Sequence, residues 1–467
     1  MKKLFLLLLL LPLLAYGEQA HPWLHIYRND VNFHSIKAAQ IDSITHKLYE
    51  DESLDSMIVN GKENRLSVPL SNIERCAVGT NVPTVYITIP AYPDLTELNN
   101  KELYLDAMIS IDGNGVVDDL EPTAVSIKGR GNSTWNYAKK PYRLKFDKKI
   151  AICGLAKAKS YALIANYIDC TLMRNAVALK MGQLLNMPFT NHCQPIRVYF
   201  NGIFKGAYFI TEKIGITGAS VDIDEESGIL FEMDTNFDEA YKFTSMYYSL
   251  PMMVKDPDLS EIAALKGVTP QSLLETWGDD FEAFESKVSQ GEDLSTSLDM
   301  ESLVNYMLVY NVCGNREPAW PKSVYLYKAS LDDVYHFGPI WDFDWGFTYN
   351  DGVEGKAPSL PLMDLSNWEK RGASFFIQLF SRPEFRTLYR EKLDNFKQNL
   401  LPTLLEYMDE YADEIEPSAI ENGVVWAPEA GRTEGSFNFR ENVKTLKQWI
   451  IDRVEYISNH ENFGLYD

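Results

Sequence analysis

The segment Lys128–Phe146, which reads KGRGNSTWNYAKKPYRLKF, constrains the fold more than any other part of this 467-residue chain. A strand runs into a glycine-rich turn, and a second strand follows. The turn supplies backbone N–H and hydroxyl donors, and its residues are Gly129, Arg130, Gly131, Asn132 and Ser133. Arg143 and Lys145 share one face of the second strand, because strand side chains alternate with period two. The pattern predicts either a phosphate-binding hairpin or a basic surface hairpin.

A second segment, FGPIWDFDWGF at 337–347, contains two closely spaced acids. Asp342 and Asp344 are two residues apart, so they project from the same face of a predicted strand, and the neighbouring aromatic residues take the other face. Carboxylates forced together repel unless a divalent cation neutralises them. Mg²⁺ typically binds through one or two carboxylates plus phosphate oxygens. The spacing therefore favours a metal site over two solvated acids on a strand edge.

A rival metal site lies at Ser110–Glu121, SIDGNGVVDDLE, which has the spacing of a calcium-binding loop. Its first ligand position is serine instead of aspartate, and Pro122 prevents a following helix. The preceding residues alternate like a strand. We therefore favour a β-hairpin that turns at Asn114-Gly115, and we assign no calcium site.

The chain has 66 Asp and Glu residues against 44 Lys and Arg, which gives a net charge of −22. This balance disfavours binding to nucleic acid or anionic lipid unless the surface has a local basic patch. The five cysteines are spread singly, without the spacing of a zinc site or a disulfide framework. Composition therefore predicts no nucleic-acid partner and assigns no chemistry to the cysteines.

Residues 1–17 have the features of a cleavable secretory signal peptide. Two lysines precede the apolar run Leu4–Leu14, and the small residues Ala15 and Gly17 follow it. No later stretch is long and apolar enough to span a bilayer. We expect an exported protein, secreted, periplasmic or at the cell surface, with no transmembrane segment in the mature chain.

The rest of the chain divides into a small β-rich module at 22–78 and a larger domain at 83–465. The front of the larger domain alternates strands and turns, with a helix predicted over Thr171–Leu185 and capped by Asp169. From about residue 255 the pattern is mostly helical. We predict an α+β fold with two lobes, the first rich in strands and the second helical, and a cleft between them.

Five ordered blocks resemble the CotH kinase-like family, which includes proteins similar to spore coat protein H. They are GRGNSTW…KKPYRLKF (129–146), ALIANYIDCTLMRNAVALKM (162–181), VYFNGIFKGAYFITEKI (198–214), GPIWDFDWGF (338–347) and SFFIQLFSRPEFRTLYREKL…LKQWIIDRVEYI (374–457). Their order and gaps are compatible with the family over residues 83–465. The module at 22–78 lies outside the resemblance.

The resemblance implies a two-lobed fold like that of atypical protein kinases, with ATP and Mg²⁺ between the lobes. Such a protein transfers phosphate to Ser or Thr of a partner protein, here a surface or coat protein of unknown identity. By resemblance, the turn Gly129–Thr134 and Arg143 lie near the phosphates, which Lys140 or Lys145 neutralises. Glu212 orients that lysine or a metal, and Asp342 and Asp344 bind the metal.

One motif departs from the family pattern. The family has Gly-Asn-x-Asp followed by Asn, whereas this chain has Glu317 and then Ser323. Glu317 keeps a carboxylate that can face the acceptor hydroxyl, but it is longer by one methylene, and Ser323 is a poorer metal ligand than Asn. The alternative is a catalytically inactive pseudokinase that acts as a cell-surface binding or structural module.

Overall fold

The computed structural model describes residues 23–28, 33–48, 54–62, 64–79, 81–350, 353–363, 371–426 and 438–466. These residues form a mixed α+β protein, as the sequence predicts. The predicted signal peptide at 1–17 lies outside the described residues. The chain divides into two compact units, each treated by itself below: unit 1 is Met1–Leu172, Gln194–Thr211 and Glu410–Asn442, and unit 2 is Met173–Cys193, Glu212–Asp409 and Val443–Asp467.

Unit 1 begins with six strands that form two three-stranded antiparallel sheets. They are β1 (Trp23–Arg28), β2 (Phe33–Lys37), β3 (Ile41–Leu48), β4 (Leu54–Gly61), β5 (Arg65–Pro69) and β6 (Ile73–Gly79). The sheet orders are β2-β1-β6 and β3-β4-β5. Leu24, Ile26, Met57 and Val59 form a buried cluster from strands of both sheets. The residues of the predicted N-terminal module therefore have a small hydrophobic core in common.

The next seven strands close into a barrel, which the sequence did not predict. They are β7 (Thr84–Thr88), β8 (Leu105–Asp112), β9 (Leu120–Gly129), β10 (Tyr142–Ile150), β11 (Ala158–Ile164), β12 (Gln194–Phe200) and β13 (Ile203–Glu212), in the order β10-β11-β13-β12-β7-β8-β9. Leu144 and Phe146 of β10 are buried, whereas Arg143 and Lys145 keep exposed surface. This alternation confirms that the two cations share a face.

The hairpin predicted at 110–121 is confirmed. Strands β8 and β9 pair antiparallel, and Asn114 and Gly115 in the turn have φ of 53° and 76°. Asn114 is buried, and its side-chain amide donates to the Val82 carbonyl at 2.7 Å. The turn is therefore packed against the barrel through its own side chain, as part of the predicted hairpin.

Unit 2 contains most of the helices and a five-stranded sheet of order β15-β16-β14-β17-β18. Its strands are β14 (Ile229–Met233), β15 (Lys242–Thr244), β16 (Pro251–Asp256), β17 (Val324–Lys328) and β18 (His336–Phe337), with a separate pair β19 (Tyr349–Asn350) and β20 (Val353–Glu354). The helices are α1 (Arg174–Leu184), α2 (Leu259–Lys266), α3 (Pro270–Gln290), α4 (Met300–Cys313), α5 (Arg371–Phe380), α6 (Pro383–Asn395), a π-helix (Phe396–Leu400), α7 (Leu401–Trp426) and α8 (Phe439–Asn459). Helices α7 and α8 contribute residues to both units.

The structure changes the start of one predicted helix. Helix α1 starts three residues later than predicted, because Leu172 has φ of 55° and the Asp169 carboxylate accepts hydrogen bonds from Thr171 in a turn before the helix.

Among the described residues, no helix combines the length and apolar composition that crossing a membrane requires.

A buried lysine ties the barrel of unit 1 to the C-terminal part of α7. The Lys139 ammonium is 1% exposed and donates to the carbonyls of Ala165 (2.7 Å) and Ala207 and to Asn422 Oδ1 (2.7 Å). It also lies 4.4 Å from the ring centroid of Tyr208. A charge this deeply buried is tolerated because neutral oxygens and an aromatic face replace its hydration.

We predict that Lys139→Met lowers the stability of unit 1 by about 2–4 kcal/mol, because the buried carbonyls of Ala165 and Ala207 and the Asn422 amide each lose a charged donor. The measurement is urea unfolding followed by tryptophan fluorescence. Lys159→Met is the matched control, since Lys159 is exposed on β11. Equal stability of the two variants contradicts a structural role for Lys139.

Candidate functional site

The acids of unit 2 gather around the turn that follows helix α4. The helix ends at Gly314, which has φ of 58°, and the Asn315 N–H donates to the Tyr310 carbonyl at 2.9 Å. Asn315 Oδ1 then accepts a hydrogen bond from the Glu317 N–H at 2.9 Å. The Gly-Asn-x-Glu sequence thus folds into a tight turn, because glycine adopts the left-handed conformation and asparagine caps the backbone two residues later.

The same side chain links Glu317 to Asp342. Asn315 Nδ2 donates to the Asp342 carbonyl at 3.0 Å and to Glu317 Oε2 at 3.4 Å. Asn315 is fully buried. One neutral amide therefore fixes both acid-bearing segments without supplying a positive charge.

Burial raises the pKa of Glu317 well above its usual range, and the negative charge of Asp342 raises it further. Asp234 acts in the same direction, whereas Lys322 and the hydrogen bond from Asn315 lower the pKa. Glu317 therefore holds a proton at a pH where an exposed glutamate is ionised.

Asp234 is a member of this cluster that sequence reasoning missed. It follows strand β14, and its Oδ2 accepts a hydrogen bond from the Ser323 N–H at 3.2 Å. Next to it, the Thr235 N–H donates to the Pro321 carbonyl at 2.8 Å. Burial raises the pKa of Asp234 to about 6. The sequence did contain a signal for Asp234: it is an acid directly after the strand ILFEM, whose residues are all buried. A side chain in that position emerges at the edge of the sheet.

The prediction that Asp342 and Asp344 project together from a strand is wrong. Residues 338–348 contain no strand, and Asp342 has φ of 64°. Hydrogen bonds from side chains, including Tyr310 Oη to the Trp341 carbonyl at 3.2 Å, replace those of a neighbouring strand. The left-handed residue breaks the period-two alternation, so Phe343 is fully buried while Trp345 is 36% exposed.

Asp344 is instead held by helix α1. Its side chain accepts a hydrogen bond from Asn175 Nδ2, and its carbonyl accepts one from Arg174 at 3.1 Å. Asn175 Oδ1 in turn accepts from the Phe343 N–H at 2.8 Å. Asp344 and Asn175 are both buried. This pair positions the Asp342–Asp344 segment on α1.

Glu212 has a histidine partner among the described contacts. Its carboxylate accepts from the His192 N–H at 2.9 Å, and its other oxygen lies 2.8 Å from His192 Nδ1. This hydrogen bond raises the pKa of His192. The predicted role of Glu212, orienting a lysine or a metal, stays a prediction.

The remaining predicted residues belong to unit 1. A Cβ on Gly129 would lie 2.2 Å from the Trp135 ring, so the turn 129–133 requires glycine there. Lys140 donates to the carbonyls of Trp135 (2.8 Å) and Tyr137 (3.1 Å), which close the same turn. Arg143 lies 3.4 Å from Ser160 Oγ. The assignment of Gly129, Arg130, Gly131, Asn132, Ser133, Lys140, Arg143 and Lys145 to nucleotide phosphates stays a prediction.

Within the described ranges, no group of three His, Cys, Asp or Glu side chains is placed to hold a metal ion. Mg²⁺ does not need such a group, because it usually binds through one or two carboxylates and completes its coordination with water and phosphate oxygens. Glu317 and Asp342 fit this requirement, since a cation relieves the repulsion that raises the pKa of Glu317. Asp344 fits it less well, because Asn175 already donates to its carboxylate.

These observations define an α+β protein with a β-barrel and a cluster of partly buried acids around the turn that follows helix α4. The family model described as CotH kinase protein matches residues 127–457, which is more than half of the chain. The chain therefore belongs to the CotH kinase family, and the resemblance seen in the sequence is confirmed. A comparison with curated proteins found no match.

We predict that Asn175→Ala destabilises unit 2 by about 2–3 kcal/mol, because the Phe343 N–H and the Asp344 carboxylate each lose a buried partner. Asn175→Asp places a second carboxyl group against Asp344. We expect the loss of stability in Asn175→Asp to become smaller as the pH falls, because protonation of either carboxyl group removes the repulsion between them. The measurement is the urea midpoint at several pH values.

Gln183→Ala is the control for both variants, since Gln183 lies on the same helix and makes one hydrogen bond, to the Asn191 carbonyl. If the loss of stability in Asn175→Asp does not change with pH, the predicted contact between residue 175 and the Asp344 carboxyl group is contradicted.

Proposed function

We propose that this protein transfers a phosphoryl group from Mg²⁺-bound ATP to a Ser or Thr hydroxyl of a surface or coat protein. The proposal includes the kinase-like, two-lobed fold class that the family implies and export directed by residues 1–17. Family membership supports it, and one observation carries it: Asn315 donates to the Glu317 carboxylate and to the Asp342 carbonyl, and the negative charge of Asp342 raises the pKa of Glu317. Side chains in this state favour a divalent ion.

The roles follow from the contacts of each acid. Asp342 is the metal-ligand candidate, and bound Mg²⁺ supplies charge neutralisation for the phosphates and for the acids. Glu317, as a carboxylate, would accept the proton of the acceptor hydroxyl as the hydroxyl oxygen bonds to the γ-phosphorus, while the bond from that phosphorus to the bridging oxygen breaks and ADP leaves. The hydrogen bonds of Asn175 with Asp344 and with the Phe343 N–H fix the backbone next to Asp342. Asp234 holds the segment that contains Ser323.

A second candidate is an inactive pseudokinase that serves as a binding or structural module. Two observations favour it. The pKa of Glu317 is raised well above its usual range, which favours the protonated form over the carboxylate that a general base needs. Ser323 replaces the family Asn, and its N–H is engaged by Asp234.

We predict that the purified chain transfers labelled phosphate from ATP to dephosphorylated casein or to itself when Mg²⁺ is present. Asp342→Asn lowers the rate by about 100-fold or more, because the cation loses a charged ligand. Asp332→Asn has the same change in charge at an exposed loop position and serves as the control. Transfer that persists in Asp342→Asn contradicts the assignment of Asp342.

We further predict that Glu317→Gln lowers transfer by about 100-fold while the ATP affinity, measured by titration calorimetry with Mg²⁺, changes less than about twofold. The amide keeps the shape and the hydrogen bond to Asn315 but accepts no proton. Wild-type protein that binds Mg²⁺-ATP without transfer supports the inactive candidate. Absence of both binding and transfer refutes a nucleotide site of either kind.

A further inference from the structure

One stretch of unit 1 differs in charge from the rest of the molecule. Residues 128–159 contain ten Lys and Arg residues and a single acid, Asp147, in a chain whose net charge is −22. This stretch covers the end of β9, all of β10 and the start of β11, which are neighbours in the barrel. The chain therefore has the local basic patch that its composition as a whole does not suggest.

The strand register brings part of this charge together on the outer surface of the barrel. Arg143 pairs across from Lys128, and Lys145 lies two residues further along β10 on the same face. The ammonium groups of Lys128 and Lys145 lie 5.4 Å and 5.7 Å from the ring centroid of Tyr104. Two like charges thus share one exposed aromatic ring, and the electron-rich face of the ring offsets only part of their repulsion.

Four more lysines are exposed at the β10–β11 end of the barrel. Lys148 and Lys149 lie near the end of β10, Lys157 just before β11 and Lys159 within it, and all four are exposed. None of these four forms an ion pair with a described residue, and neither does Lys128 or Lys145. Their mutual repulsion is therefore not relieved by the described part of the chain.

A cavity of about 270 Å³ opens on the same outer surface, beside Lys145. Its lining combines apolar and polar side chains: Met108, Ala124, Asp106, Ser126, Lys145 and Asp147. Asp106 pairs across from Ser126, and Ser126 pairs across from Lys145, so the polar lining forms one row over three strands. The volume is that of one or two amino-acid side chains.

We propose that this basic face binds an acidic segment of a partner protein, with an apolar side chain of that segment in the cavity. Charge complementarity supplies the attraction, and the cations are mostly lysines, whose compact charge on a flexible stem suits carboxylates in varied positions. A concave cavity between strands does not match a planar bilayer. The side chains of β10 and β11 that keep exposed surface are Arg, Lys, Asp, Ser and Ile, and they offer no aromatic row on which nucleic-acid bases stack. The inference is independent of phosphoryl transfer.

The test uses the full chain and a fluorescent oligoglutamate peptide with one central leucine. We expect salt-sensitive binding by anisotropy, weaker when glycine replaces the leucine. Lys148→Glu, Lys149→Glu and Lys159→Glu together weaken binding by about tenfold or more. Ala124→Trp fills the cavity and removes the preference for leucine over glycine.

The matched control is Lys392→Glu, Lys397→Glu and Lys447→Glu, which changes the net charge equally at exposed ion pairs elsewhere. We expect this control to bind the peptide like wild type, and circular dichroism checks the folding of each variant. Absence of binding, or equal loss in the control, overturns the proposal. Tighter binding to phosphatidylglycerol vesicles or to oligothymidylate than to the peptide also overturns it, in favour of a membrane or a nucleic acid.

Discussion

The acidic site of unit 2 depends on one side-chain amide. Asn315 closes the turn after α4, accepts from the Glu317 backbone and donates to both acid-bearing segments. An amide can do this because it carries donors and an acceptor on the same planar group and brings no charge. A lysine or arginine in its place would form ion pairs and leave the acids satisfied. Asn315 instead fixes the positions of both segments and brings no charge of its own.

A second group of acids close in the sequence to this site shows the contrast. Glu232 of β14 accepts from Lys255 at 2.8 Å and from the Tyr325 hydroxyl at 2.7 Å, and Lys255 also donates to Glu239 at 2.8 Å. Their charges raise the pKa of Lys255 although burial opposes them. Glu232 and Glu239 therefore share one lysine, whereas the segments that contain Glu317 and Asp342 are joined by an uncharged amide. A site of the second kind is better suited to a mobile cation.

The sequence was sufficient where local patterns decide the structure. Period-two alternation gave the shared face of Arg143 and Lys145, and Asn114-Gly115 gave the hairpin, because both depend on residues close in the chain. Local sequence patterns were not sufficient where residues far apart in the chain determine the conformation. Asp342 leaves the extended conformation because Asn315 and Asn175 replace strand hydrogen bonds, and Asp234 joins the cluster through Ser323, 89 residues away. Barrel closure depends on the parallel pairing of β7 with β12, which no local pattern encodes.

The contacts of Lys139 also have a consequence for the order in which the protein can mature. The lysine on the barrel and its partner Asn422 are 283 residues apart, and the nearby ion pair between Arg197 and Glu421 spans 224. A ribosome makes the whole barrel sequence long before it reaches either partner. During synthesis the nascent barrel therefore holds an ammonium and a guanidinium that still lack these acceptors, and its final packing waits until the chain beyond residue 422 has emerged.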